Sequence, residues 1–265
     1  MVSTRSHPAA FPPPEASPTK PSPRKSRTST PDRAAPVGVE RSLRERAVEN
    51  SVAAGGEAWS HTASNLTIAW IAVSLPLVIW DSLYILLRPH TMAGGALQWP
   101  IWKPYEIYAS IDHVYGWPGW DNNDGFGGGQ GAMNVIEVVL YGLYMMIVYN
   151  HGVQAEGGSG IQIGHGVKGW MSGGVKVRGR AGNKAVMLGF VASIMTLSKT
   201  VLYYLVEYFA GFKNTAHNDW ITLALFYGVM NGLWVIFPAY MSITFGSDIF
   251  AALEAATKSE AKKDN

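Results

Sequence analysis

Four long stretches of the chain are almost uninterrupted runs of apolar residues. They are Leu66–Leu87, "LTIAWIAVSLPLVIWDSLYILL"; Ala132–Tyr149, "AMNVIEVVLYGLYMMIVY"; Ala185–Ala210, "AVMLGFVASIMTLSKTVLYYLVEYFA"; and Trp220–Phe245, "WITLALFYGVMNGLWVIFPAYMSITF". The hydrocarbon core of a bilayer takes about 20 mostly apolar residues of helix. Each run therefore predicts a membrane-spanning helix. Core helices of a water-soluble domain fit less well, because the runs are too long and too uniformly apolar. The polar positions recur at helical intervals. Asn134, Glu137, Tyr141 and Tyr144 follow i, i+3, i+7, i+10; Thr196, Lys199, Tyr203 and Glu207 follow i, i+3, i+7, i+11; Tyr227, Asn231, Trp234 and Pro238 follow i, i+4, i+7, i+11. Each set occupies one helix face. Three polar and aromatic faces predict a shared cavity, apolar at large, with few fixed polar groups.

The predicted fold class is an all-α membrane protein. Residues 65–250 form a four-helix transmembrane bundle, with a disordered N-terminal arm before it and a charged cytoplasmic tail at 251–265. The arm, residues 1–64, is rich in Pro, Ser, Thr and Arg, as in "FPPPEASPTKPSPRKSRTSTPDRAAP". It buries too little apolar surface to offset its ordering entropy. No apolar h-region follows its early charges, so a signal peptide is not expected. Glu15, Asp32, Glu40, Glu45 and Glu49 argue against a transit peptide.

Charge adds an orientation. Arg41, Arg44 and Arg46 precede the first run, with further Lys and Arg upstream. The loop between runs two and three holds Lys168, Lys176, Arg178, Arg180 and Lys184, and the tail holds Lys258, Lys262 and Lys263. The other two loops hold only Arg88, Lys103 and Lys213. Four spans put the basic segments on one side, which predicts cytoplasmic termini. The glycine-rich middle loop lacks the strand and helix of a phosphate-binding loop and reads as a flexible connector. Cysteine is absent, so disulfides and thiolate chemistry are excluded. A net charge of +2, with scattered basic residues, argues against nucleic-acid binding. His151 and His165 in or beside the loop do not make a metal site.

The candidate chemistry lies in the spans. An ionisable group at a helix centre costs about 2.5–3.5 kcal/mol on insertion scales and usually faces a bundle interior. Here such groups are Asp81, Glu137, Lys199 and Glu207, joined by the amide of Asn231. At a rise of roughly 1.5 Å per residue, Asp81 and Glu137 both fall about 8–9 Å below the far boundary, with Lys199 and Asn231 near mid-membrane. Bland roles exist for several of them. Glu207 suits an interfacial cap, Lys199 a counter-ion to Glu137 or Asp81, and Asn231 helix–helix glue. Glu137 is the hardest to explain without function.

The run "YGVMNGLWVIFPAYMSI", with "VLYYLVEY" before it and "WKPY" after the first helix, resembles the emopamil-binding protein family, or EXPERA domain. The resemblance spans roughly Leu66 to Asp248. It implies a four-helix domain of the endoplasmic reticulum membrane and an activity like sterol Δ8–Δ7 isomerisation. An acid protonates a ring alkene, a carbocation forms, and a second group removes a neighbouring proton. It implies Glu137, Asp81 and Asn231 as catalytic residues, with Asp112 as the acidic residue before helix two and Trp234 as a cation-stabilising aromatic. Tyr227, Tyr203, Tyr141 and Lys199 complete the expected substrate-binding set. The sequence departs from the pattern at Pro76 and Trp80, which stand where a histidine and an acid are expected; Asp81 follows one residue later. His113 could reach the cavity mouth in place of the missing histidine. Lys199 has no counterpart in the pattern.

Two functions follow as expectations. One is an isomerase of a sterol or related terpenoid. The alternative is a non-catalytic sterol- or amphiphile-binding member of the same family. A transporter is disfavoured, since four helices without an internal repeat suit it poorly. The expected partners are a sterol or terpenoid lipid and the membrane, with a homodimer as an option. No cofactor, metal or nucleic acid is expected.

Overall fold

The computed structural model describes residues 59–155, 170–171 and 173–261. Most of the arm expected at residues 1–64 lies outside the described residues, as do His165 and Lys168 of the middle loop. Among the described residues, four helices are long and apolar enough to cross a membrane. They are α1, Asn65–Leu86; α4, Gly125–His151; α5, Gly179–Phe209; and α6, which starts at Trp220–Thr222, passes through a wider π-type stretch at Leu223–Val229 and continues as Met230–Ala261. The short helices α2, Tyr105–Ile111, and α3, Trp117–Asp121, lie between α1 and α4.

Local chemistry sets the helix starts. The Ser64 hydroxyl accepts from the Thr67 amide at 3.1 Å, and the Asp124 carboxylate accepts from the Phe126 amide at 3.1 Å. Asp219 accepts from the amides of Ile221 and Thr222. About two glycine-rich turns before Ala132 join α4, which begins seven residues earlier than hydropathy alone predicts. Apolarity marks the part of a helix that meets lipid, not where its hydrogen bonding starts. For the same reason α6 continues past Phe245 to Ala261, so the expected tail begins as helix.

The helices pack in sequence, α1 on α4, α4 on α5 and α5 on α6. Gly131 permits close approach of α4 to α1; a Cβ there would lie 2.7 Å from Ile85 Cγ2. Gly189 does the same for α5, where a Cβ would meet the Phe245 ring at 2.8 Å. The interior between the helices is built from Trp70, Ile71, Tyr141, Tyr144, Met241 and Phe245. Val73, Val139, Met187, Leu202, Ile236 and Ile243 face outward, as lipid-facing positions should.

The two ends of the bundle differ. One is covered by the segment from Arg88 to Asp124 together with the α5–α6 turn. The Asn218 amide donates to Ile111 O at 2.8 Å, and the His113 amide donates to Asn214 O at 3.2 Å. The other end carries a small antiparallel sheet. Strands β1, Ser60–Ser64, β2, Gly152–Gln154, and β3, Gly174–Arg178, run in the order β1-β3-β2. This corrects two expectations. Residues 60–64 of the arm are a strand, and both flanks of the middle loop are strands rather than flexible connector. The alternation in "VKVR" pairs with "SHTAS" in register, His61 opposite Val177.

Candidate functional site

The site starts from Asp81, late in α1. Its Oδ1 accepts from the Tyr105 hydroxyl at 2.7 Å, and its Oδ2 accepts from Asn134 Nδ2 at 2.8 Å. The Asn134 carbonyl oxygen in turn accepts from the Lys199 ammonium. Lys199 Nζ also lies 3.0 Å from Glu137 Oε2. That carboxylate oxygen is buried and makes no hydrogen bond of good geometry, so the contact is ionic rather than a directed bond. A single polar chain thus runs Tyr105, Asp81, Asn134, Lys199, Glu137 through α2, α1, α4 and α5.

Beside this chain lies a cavity of about 390 Å³. Leu77, Trp80 and Asp81 of α1, Asn134 of α4, Lys199 and Tyr203 of α5, and Phe226, Asn231 and Trp234 of α6 contribute to its wall. Tyr105, Tyr108 and Tyr115 close it from the covered end. Its volume falls in the usual range for small-molecule sites, and its lining is apolar and aromatic with few polar groups.

The tyrosines are held as neutral phenols. Burial pushes the Tyr105, Tyr108 and Tyr115 hydroxyls up, with the nearby carboxylates of Asp81 or Asp112 acting in the same direction. Their rings form one cluster: Tyr105 stacks on Tyr84 at 3.9 Å, and Tyr108 meets Tyr115 edge-on at 4.9 Å. Asn231 Nδ2 donates to Tyr108 Oη at 3.1 Å and to Tyr227 O at 2.9 Å. Asn231 therefore orients a tyrosine.

The expected site residues divide into two groups. Asp81, Asn231, Trp234, Tyr203 and Lys199 do line the cavity. Glu137 does not; it stands behind Lys199, buried, as the counter-ion that the bland reading assigned to that lysine. It also lies twelve residues after Gly125, roughly 18 Å along α4. Tyr141 is packed in the interior core. Tyr227 sits between Tyr203 and Tyr204, its hydroxyl buried without a partner. Asp112 is buried just outside the wall, where its carboxylate accepts from the Tyr203 hydroxyl and from the Val114 amide. Burial pushes its carboxyl up to about 6, although the Tyr203 donor pulls it back.

Two other expectations are settled by contacts. His113 stacks on His217 at 3.9 Å and is not among the cavity-lining residues. Glu207 accepts from the Asn214 amide at 3.0 Å, Asn214 Nδ2 at 2.8 Å and Thr215 Oγ1 at 2.8 Å. It caps and organises the α5–α6 turn.

Sequence reasoning missed several contributors, three of which hold the polar groups in place. Asn134, read only as a face marker, joins the two charged partners. Tyr105 and Tyr108, in "PYEIY", carry an i, i+3 spacing that a search confined to the spans does not reach. Among the described residues no three His, Asp or Glu converge as metal ligands.

The fold and site thus define a four-helix membrane protein with an internal cavity whose aromatic wall carries one carboxylate and one ammonium. No family model, curated protein or solved structure matches the chain.

Proposed function

We propose that the cavity is the site of an intramembrane isomerase that shifts a ring double bond of a sterol or related terpenoid. The observation that carries the reading is Asp81. It is an ionisable group inside a span, at the wall of an otherwise apolar and aromatic cavity. An apolar lipid fits such a wall, and a carboxyl group there exchanges protons with carbon away from bulk water. In its acid form Asp81 gives a proton to one alkene carbon. The cation that results faces Trp234 and the tyrosine rings, and Glu137 offsets the charge of Lys199. Loss of a proton from the neighbouring carbon to the carboxylate then completes the shift, with no atom gained or lost. The resemblance of the helix-four run to the emopamil-binding family supports the same chemistry. It also supports the endoplasmic reticulum membrane as its location, while the basic flanks support cytoplasmic termini.

A second reading, a non-catalytic amphiphile-binding protein, is favoured by one observation. Both Asp81 oxygens already accept hydrogen bonds, as in a carboxylate held as a fixed anion for a ligand ammonium. The lipid profile of cells lacking the protein separates the two. The isomerase reading predicts accumulation of a sterol or terpenoid whose ring double bond lies one position from that of the normal product. An unchanged profile contradicts it.

A further inference from the structure

Lys199 is unusual in this setting. A lysine in a span costs free energy, and a simple counter-ion for Glu137 would not need to reach a cavity wall. Yet Lys199 lines that wall. An ammonium carries three donors. One goes to Asn134 Oδ1 and at most one to Glu137 Oε2, which leaves a donor for a group in the cavity.

The charge state of its surroundings narrows what that group is. If Asp81 and Glu137 are both ionised, the two carboxylates and one ammonium sum to one negative charge. A ligand carboxylate would add a second negative charge in a poorly solvated place, which is unfavourable. A neutral acceptor, such as a carbonyl oxygen, meets the free donor without that cost.

Position supplies the next step. The amide of Asn134 alone separates Asp81 Oδ2 from Lys199 Nζ, so by ordinary hydrogen-bond lengths base and cation stand no more than roughly 8 Å apart. A carbonyl oxygen bonded to Lys199 would therefore bring the carbon next to that carbonyl within reach of Asp81. Donors on both Asp81 oxygens match the ionised, proton-accepting form.

We propose that the cavity takes a carbonyl-bearing ring lipid, a β,γ-unsaturated ketone, and converts it to the conjugated enone, with Lys199 as the oxyanion donor and Asp81 as the base. The proposal rests on the reading of the cavity as a lipid isomerase site and names a substrate class for it; for that class Asp81 starts as the carboxylate and the shift runs through an enolate in place of the cation. Asp81 removes the proton from the carbon between the carbonyl and the alkene. The C–H pair becomes the new C=C bond of a dienolate, and the negative charge falls on the oxygen at Lys199. The protonated Asp81 then returns the proton to the far alkene carbon. The double bond has moved one position, atoms and electrons balance, and no co-reactant is needed. Negative charge beside an ammonium is stabilised at each stage.

The test uses the full chain in phosphatidylcholine nanodiscs, with a β,γ-unsaturated 3-keto steroid followed by the ultraviolet absorbance of the conjugated enone. A plain alkene sterol without a carbonyl is the second substrate. The wild type should form the enone, and Lys199→Met should lower kcat by about 100-fold or more. Because Lys199→Met leaves Glu137 without its counter-ion, the pair Glu137→Gln with Lys199→Met is measured beside it and should show the same loss. Lys199→Arg, which keeps a cationic donor, should recover part of it. A phenolic steroid serves as an enolate mimic, and its bound absorbance should shift to the phenolate form in the wild type but not in the double variant. Turnover of the alkene sterol without any of the keto steroid would overturn the inference and leave the isomerase reading standing. Turnover of neither, or enone formation unaffected in the double variant, would also overturn it.

Discussion

The ammonium of Lys199 lies 3.0 Å from Glu137 Oε2, between that carboxylate and the cavity. Lys199 and Glu137 sit on facing helices, α5 and α4, and both are nearly removed from solvent, with side chains 12% and 3% exposed. The pair sets the Glu137 carboxylate against the lysine, outside the lining of the cavity.

Stability should follow the pair rather than either residue. Removing one partner of a buried ion pair costs about 3–5 kcal/mol, because the other charge is left alone. Lys199→Met should therefore lower the unfolding free energy by about that much, while the double change with Glu137→Gln recovers most of it. A double-mutant cycle of denaturant or thermal unfolding in detergent reads this. Additive losses would show that the two groups do not couple.

Asn134 should matter through its bridge. Asn134→Leu removes a donor from Asp81 and an acceptor from Lys199, and should cost about 1–3 kcal/mol for each buried group left unsatisfied. It should also reduce turnover, since neither charged group is then held in place. Stability and kcat measured on the same preparation check both effects.

Asp112 should make stability depend on pH. Its folded-state value, about 6, lies above the ordinary 3.8, because burial disfavours the anion. The folded state therefore holds more protons than the unfolded state between those values. Stability should rise as the pH falls from above 6 towards 4, by up to about 3 kcal/mol for a shift of this size. Asp112→Asn should flatten that part of the profile. Tyr203→Phe, which removes a donor to the carboxylate, should move the transition to higher pH. Thermal unfolding followed across pH 4–8 measures all three.

At the opposite end, His61 is fully buried and lies 2.7 Å from Asp248 Oδ2 and 3.0 Å from the Tyr144 hydroxyl. This contact ties β1 to α4 and α6. His61→Leu should loosen the sheet and cost about 1–3 kcal/mol. Faster amide exchange at Gly174–Arg178, with little change in the cavity tyrosines, is the expected signature.

The spans were legible because hydropathy is a property of single segments, and all four runs became helices. The faces were legible too, since Asn134, Lys199, Tyr203, Asn231 and Trp234 point inward as their spacing requires. What was not legible depends on pairing between distant segments. That Glu137 faces Lys199 and not the cavity depends on how α4 and α5 are set against each other, which neither segment reveals by itself. The strands are five residues or fewer, too short to signal in isolation, and gain their hydrogen bonds only from each other. Tyr105 and Tyr108 lie in a polar-looking segment whose burial arises only when it folds over the bundle end.

The central claim is that Asp81 transfers the proton at the cavity wall. Purified full-length protein in nanodiscs, wild type and Asp81→Asn, should be compared for double-bond isomerisation of sterol and terpenoid substrates, with folding checked by thermal unfolding. An amide keeps the shape and one accepting oxygen, for Tyr105 or for Asn134, but cannot act as acid or base. The account predicts turnover by the wild type and a loss of about 100-fold or more in Asp81→Asn, larger than the loss in Glu137→Gln. Full turnover by a folded Asp81→Asn protein, or a greater loss in Glu137→Gln, would contradict it.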